Sequence, residues 1–239
     1  MQYARRPSSA RLAPALLAGA LLAGTSASRA LAADARHPVV IELFQSQGCS
    51  SCPPANANLA AVADRPEVLA LSFSVTYWDQ LGWKDTFARP SYTARQWDYA
   101  RALRHPNVYT PQVVVNGRKD GVGVDPRAFA ALVAAADRGA SRPDVEIAPD
   151  AVRIGAGQGS AEVWLARYDP RVLQVPIRRG ENGGKTLPHK NIVRQLVRLG
   201  AWTGRPQTLR LPAAQEPGLR TAVFLQAGKG GPILAAAKG

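Results

Sequence analysis

Only two cysteines and three histidines occur among the 239 residues, and that scarcity excludes several chemistries. Structural zinc wants four ligands, and one Cys pair with His37, His105 and His189 at no close ligand spacing does not supply them. A disulfide framework falls away too. A bond between Cys49 and Cys52 would close a loop of four residues, worth roughly 2 kcal/mol by chain entropy against about 3 for fifteen residues. The chain has no GxSxG, no GxxxxGK followed by Ser or Thr, and no recognisable acid pair, so serine hydrolase, nucleotide-binding and glycosidase readings lack their motifs. Lys and Arg exceed Asp and Glu by 30 to 17, yet they form no block of like charge and no basic-aromatic stripe that would track a nucleic acid. Nor is there an apolar run long enough to span a bilayer.

At 46% hydrophobic and 20% charged, the chain suits one large or two small globular domains. Its amino terminus has Arg5, Arg6 and Arg11, the apolar run Ala13 to Ala23, then small residues ending in Ala30-Leu31-Ala32. Basic, apolar, small-x-small is the layout of a secretory leader over residues 1–32. Pro7-Ser8-Ser9 after the arginine pair argues for general secretion over the twin-arginine route. Cleavage after Ala32 leaves 207 residues, removes four arginines and no acids, and lowers the formal charge from +13 to +9. Both cysteines survive in an oxidising periplasmic or secreted setting, with no membrane span remaining.

Val39 to Phe44 reads as a strand covered on both faces, and Gln45 to Gly48 leads into Cys49-Ser50-Ser51-Cys52. Ala55 to Asp64 is expected to be helical, with Pro54 disfavouring the helical conformation at Pro53 and delaying the first turn. Val68 to Val75 follows as a strand, Ser91 to Leu103 as a helix capped by Ser91, and Gln112 to Val115 as a strand. Asn116-Gly117 marks a hairpin whose return is Gly121 to Val124, and Asp125-Pro126 caps a helix over Arg127 to Arg138. The order is β-α-β-α-β-β-α across residues 33–140. Residues 141–239 hold short apolar runs between Gly and Pro clusters, which suggests an antiparallel, sandwich-like β subdomain. Ile192 to Leu199 fits a strand and a helix equally.

A CxxC at the head of a helix is a redox device because unpaired N–H groups and the helix dipole favour a thiolate on the first sulfur, while the second lies close enough to attack a mixed disulfide. Cys49 is then the nucleophile and Cys52 the resolving residue. This order of elements, with Tyr109-Thr110-Pro111 before the third strand, resembles the thioredoxin fold. IELFQSQGCSSCPPAN, YWDQLGWKD and YTPQVVVNG together resemble the bacterial exported thioredoxin-like proteins catalogued as domain of unknown function 1223, and RRGENGG, NIVRQLVRLGAW and GGPILAAA fit that family's carboxyl-terminal part. The resemblance implies a cis Pro111, with the Thr110 backbone offered to an extended peptide; an ordinary trans proline is the alternative. It implies no cofactor and no established substrate. Gly48 departs from the thioredoxin pattern, where an aromatic residue commonly precedes the first cysteine. Ser50-Ser51 replaces the usual Gly-Pro, and either hydroxyl is placed to bond a thiolate.

Glu42 resembles the buried acid that takes the resolving cysteine's proton, the alternative being a strand-end Glu that reaches solvent or pairs with an Arg. Trp78, with Tyr77 and Asp79, and Trp83-Lys84-Asp85 either line a substrate groove or cover the junction between the two parts, with Asp79 and Asp85 as loop caps. Glu181 either pairs an Arg or meets a partner. The leading expectation is an exported thiol:disulfide oxidoreductase acting on protein or small-molecule substrates through Cys49 and Cys52, with a recycling partner the sequence does not identify. The alternatives are a non-catalytic envelope binding protein with an inert disulfide, and a copper-handling site of Cys49, Cys52 and His105, whose imidazole otherwise simply ends a helix.

Overall fold

The computed structural model of the protein describes residues 1–2, 33–135 and 143–239. The expected leader, apart from its first two residues, and most of the linker expected at Gly139 to Pro143 lie outside the described residues.

Strand β1 (Val39–Gln45) is buried at all seven positions because both its faces are covered. Val39, Ile41 and Leu43 pack with Ala55 and Leu59 of helix α1 (Cys52–Val62) and with Phe129 of α3 (Pro126–Ala134). Val40 and Phe44 point the other way, toward Tyr92 and Tyr99 of α2 (Pro90–Ala102). Burying each of these large side chains contributes roughly 1.5–3 kcal/mol. β2 (Val68–Ser74) runs parallel to β1, while β3 (Gln112–Val115) lies antiparallel on its other side, with Phe44 opposite Gln112. β4 (Lys119–Gly121) closes a hairpin in which Asn116 and Gly117 both take positive φ, as the Asn-Gly pair predicts; the return strand is earlier than the expected Gly121 to Val124. Asp125 caps α3 by accepting from the Ala128 amide at 2.7 Å.

Two helix starts differ from expectation. Arg89, in extended conformation, is the N-cap of α2 and makes no side-chain cap bond; Pro90, with φ pre-set and no N–H to satisfy, takes the first helical position in place of a Ser91 cap. Helix α1 begins at Cys52 despite Pro53-Pro54, since amides missing from a first turn would have had no intrahelical partner.

The carboxyl-terminal strands are β5 (Val145–Ile147), β6 (Ala151–Ile154), β7 (Ala161–Pro176), β8 (Thr186–Trp202), β9 (Gln207–Arg210), β10 (Arg220–Gln226) and β11 (Ile233–Lys238). β7, β8, β10 and β11 do not form a sheet of their own. β8 pairs parallel with β2, and one mixed sheet runs β11-β10-β7-β8-β2-β1-β3-β4. An outer edge of β2, buried at all seven positions, needs such a neighbour for its peptide groups. Asn191 at the seam donates its side-chain amide to the Ala70 carbonyl at 2.9 Å. The sandwich expectation holds only locally: β5, β6 and β9 form a second, three-stranded layer, and Val152, Ile154, Val163, Leu165, Trp202, Val223 and Leu225 fill the space between. Ile192 to Leu199 is strand. What reads as several short runs is one hairpin of 16- and 17-residue strands, broken in register near Val163, Arg167 and Asp169. Each break adds local twist and interrupts the alternation that would announce a long strand. Among the described residues no helix is long and apolar enough to cross a membrane.

Candidate functional site

The cysteine turn occupies the end of β1. Gly48 donates its amide to Ser46 Oγ at 3.1 Å, Cys49 to the Ser46 carbonyl at 3.1 Å, and Cys52 to the Cys49 carbonyl at 3.2 Å, which leads the chain into α1. Cys49 and Cys52 form a disulfide, and both residues are 0% exposed. Ser51 Oγ lies 3.4 Å from Cys49 Sγ, so of the two serines it is Ser51 whose hydroxyl meets the first sulfur. Pro53 and Pro54 leave this helix start with fewer free N–H groups than usual, which weakens the support it offers a thiolate.

The backbone of the cysteine turn is held by a segment of the carboxyl-terminal half. The tip of the β7–β8 hairpin, residues 177–185, is tied across its base by Gly184 N to Ile177 O and Ile177 N to Lys185 O, both 2.8 Å. Asn182 at this tip is fully buried and donates its side-chain amide to the carbonyls of Gln47, at 3.0 Å, and Cys49, at 2.9 Å. Lys185 Nζ donates to Asn182 Oδ1 at 3.1 Å, which orients the side-chain amide. Glu181, exposed, accepts from the Ser50 amide at 3.1 Å; hydrogen bonds from Ser50, side chain and then backbone, hold its carboxyl below the usual range. Gly180 sits at φ +75°, a conformation that favours glycine, and its Cα faces the Leu81 carbonyl and Trp83. Glu181 thus meets the Ser50 amide rather than the arginine that was one of its two expected contacts. The flanking glycines signal a tight tip, but no sequence spacing links residue 182 to residue 49.

Trp78 and Thr110 complete the surroundings. Trp78 Nε1 donates to Thr110 Oγ at 2.7 Å, and its Cβ faces the bare Cα of Gly48, so an aromatic side chain reaches the cysteine turn from a different loop than the usual pattern supplies. The Thr110–Pro111 peptide is cis. Because Gln112 is opposite Phe44, Thr110 and Pro111 lie at the end of the sheet where β1 enters the turn. Trp83 Nε1 donates to Gln47 Oε1 at 2.9 Å and packs beside Gly180, at the junction between the two parts.

Glu42 does not reach the cysteines. Its neighbours Ile41 and Leu43 face α1, whereas its own side chain turns to the α2 face. There Arg95 Nε and Nη2 donate to its two oxygens at 2.8 and 2.9 Å, and the Tyr99 hydroxyl donates as well. The guanidinium also lies 5.0–5.9 Å from the rings of Phe73, Tyr99, Trp164 and Phe224. A carboxylate matched in this way is a structural anion, and the expected proton-accepting role is corrected. The acid that does adjoin the turn is Asp85, buried, which accepts from the Gln47 amide at 2.7 Å and the Phe87 amide at 2.8 Å. Burial pushes its carboxyl up to about 6. Its cap on Phe87 is the expected loop bond; its hold on Gln47 is the additional one. Asp79, also expected as a cap, accepts from the Asp85 amide at 3.0 Å.

His105 is bound to Asp120 at 3.0 Å, and Tyr109 and Gln112 donate to the same carboxylate. Among the described residues no group of three or more His, Cys, Asp or Glu is placed to hold a metal, so the geometry lends no support to a copper site of Cys49, Cys52 and His105.

The model of a family described as Protein of unknown function (DUF1223) matches residues 40–226. A crystal structure of a protein from Agrobacterium tumefaciens is similar at 33% identity and a TM-score of 0.72, over 87% of this chain and 95% of that one. HBP35 of Porphyromonas gingivalis shares the fold at a TM-score of 0.55 and 12% identity, over 85% of this chain and 75% of that one. No functionally curated protein matches.

Proposed function

The chain belongs to the family of unknown function DUF1223, and from that premise we propose that it is an exported thiol:disulfide exchange protein whose amino-terminal half is thioredoxin-like. The observation that carries the reading is the Cys49–Cys52 disulfide, made from the chain's only cysteines, at the first turn of the first helix. The strand order β2-β1-β3-β4, with helices on both faces, and the Trp78–Thr110 pair beside the turn support it.

In the reducing direction the Cys49 thiolate attacks one sulfur of a substrate disulfide, forming a mixed disulfide and expelling a substrate thiolate. Cys52, deprotonated, then attacks Cys49 Sγ; the Cys49–Cys52 bond forms, the mixed disulfide breaks, and the second substrate thiolate leaves. Two electrons pass to the substrate, and the two cysteine protons end on its thiols through solvent. The same steps reversed oxidise a substrate dithiol. Since neither cysteine is exposed, exchange needs a local opening of the turn, and the 177–185 tip bound to its backbone is the segment whose withdrawal would provide it. Thr110 and Pro111 serve as the strand edge for an extended substrate, and Trp78 lines the approach. Substrates are proteins or small thiols, recycled by a redox partner in the envelope.

Complete burial of the disulfide favours a second reading, a binding protein in which the bond is an inert clip. Alkylation of the reduced protein against pH, with mass mapping, separates the two. Exchange expects Cys49 alone to react and to titrate below the free-thiol value of about 8.5; two sluggish thiols at or above that value leave the clip. Export is tested by the mature amino terminus, expected at Ala33.

A further inference from the structure

Among the described residues two arginines lie deep, and they are treated differently. Arg95 is matched by Glu42. Arg167, on β7, is 9% exposed and has no carboxylate within salt-bridge reach among the described residues. It follows Val163 and Leu165 on the face that meets the three-stranded layer, with Gln195 and Thr221 as its register neighbours. Its Nη1 donates to Thr221 Oγ and its Nη2 to the Pro212 carbonyl, both at 2.8 Å and both neutral acceptors. Nε is buried without any partner, as is the neighbouring Gln195 Oε1. A guanidinium removed from water and given only neutral acceptors is costly, and a fold tolerates one where something else supplies the negative charge.

The same residue lines an open cleft of about 710 Å³ with Asp150, Arg210, Leu211, Pro212 and Ala213. That volume is in the range of small-molecule sites. Two guanidiniums against one carboxylate leave one positive charge unbalanced, and the remaining wall is apolar. From this arrangement we infer that the cleft binds a small monocarboxylate with an apolar body, its carboxylate directed at Arg167 and its body against Leu211, Pro212 and Ala213. With Nε sealed in the interior, a planar carboxylate suits the hydrogens left on Nη1 and Nη2 once one on each is engaged. The inference is independent of the cysteine chemistry.

Sodium butyrate is the probe, titrated by calorimetry or NMR against the protein, with butyramide as its neutral isostere and sodium sulfate at matched ionic strength. Butyrate is expected to saturate one site while butyramide does not bind. Arg167→Gln is expected to weaken butyrate at least about tenfold, the size of a lost charge-assisted bond. Arg210→Gln, an exposed rim change that leaves the interior untouched, is expected to weaken it about threefold or more. Unchanged binding in either variant, equal binding of butyramide, or sulfate binding as well as butyrate would overturn the assignment.

Discussion

Asn182 donates its side-chain amide to the carbonyl of Cys49 at 2.9 Å, joining residues 133 positions apart, and the same amide holds the carbonyl of Gln47. The cysteine turn is therefore closed by a residue of the other half of the protein, and its exposure depends on whether that contact is made.

Asn182→Ala removes both bonds and leaves two carbonyls without this donor, which lowers stability by about 1–3 kcal/mol. Reduction of the disulfide by a fixed concentration of dithiothreitol is expected to accelerate roughly tenfold or more, read by timed alkylation and mass mapping. An unchanged reduction rate in a folded variant means that the tip does not guard the bond.

Glu181 places a negative charge at the Ser50 amide, beside the first sulfur. In the reduced protein, Glu181→Gln is expected to move the alkylation profile of Cys49 to lower pH, because the thiolate no longer faces a like charge. The shift is expected to be small and to vanish in 1 M salt, since Glu181 is exposed. A profile moved to higher pH contradicts the arrangement.

Glu42→Gln unmatches Arg95 in the interior and is expected to cost about 3–5 kcal/mol, measured by urea unfolding. The Cys49 and Cys52 titrations of the folded fraction should stay where they are, because Glu42 faces away from α1. A moved cysteine profile would restore Glu42 to the redox machinery.

Two buried groups give opposite pH slopes. Burial lowers His189 from 6.5 to about 4, and both its nitrogens lack partners. Between those values the unfolded chain binds a proton that the folded one refuses, so stability rises with pH there, by roughly 3 kcal/mol across the window. Burial raises Asp85 from 3.8 to about 6, so between those values the folded state holds a proton the unfolded state has lost, and stability falls as pH rises. Relative to wild type, His189→Leu is expected to gain melting temperature at pH 5 over pH 7, and Asp85→Asn to lose it. Parallel curves for either variant would contradict its assigned slope.

Much of the amino-terminal half is legible from local signals. The two-sided apolar runs of β1 and β2, the Asn-Gly hairpin and the Asp125-Pro126 start each act within a few residues. Cys49 and Cys52, at a helix head after a strand, belong to the same class. What stays hidden is set by contacts distant in sequence. Nothing near Glu42 announces Arg95, 53 residues away, and nothing near Glu181-Asn182 announces the cysteine turn. The long β7–β8 hairpin escapes notice because Asp169-Pro170-Arg171 breaks its alternation where the register shifts. A second body was expected where the sheet in fact continues, since pairing along the edge of β2 leaves no mark on its own seven residues.

The contact of β8 with β2 also bears on how such a chain can be cut, expressed in pieces or inherited. A fragment ending near residue 135 would carry the cysteines, the three described α-helices and four strands, yet it would present β2, the uncharged and proline-free VLALSFS, as a bare apolar edge. Such a fragment is prone to stack edge to edge with copies of itself. The two halves are thus coupled through this strand pair, and a chain shortened to its cysteine-bearing half is expected in the insoluble fraction.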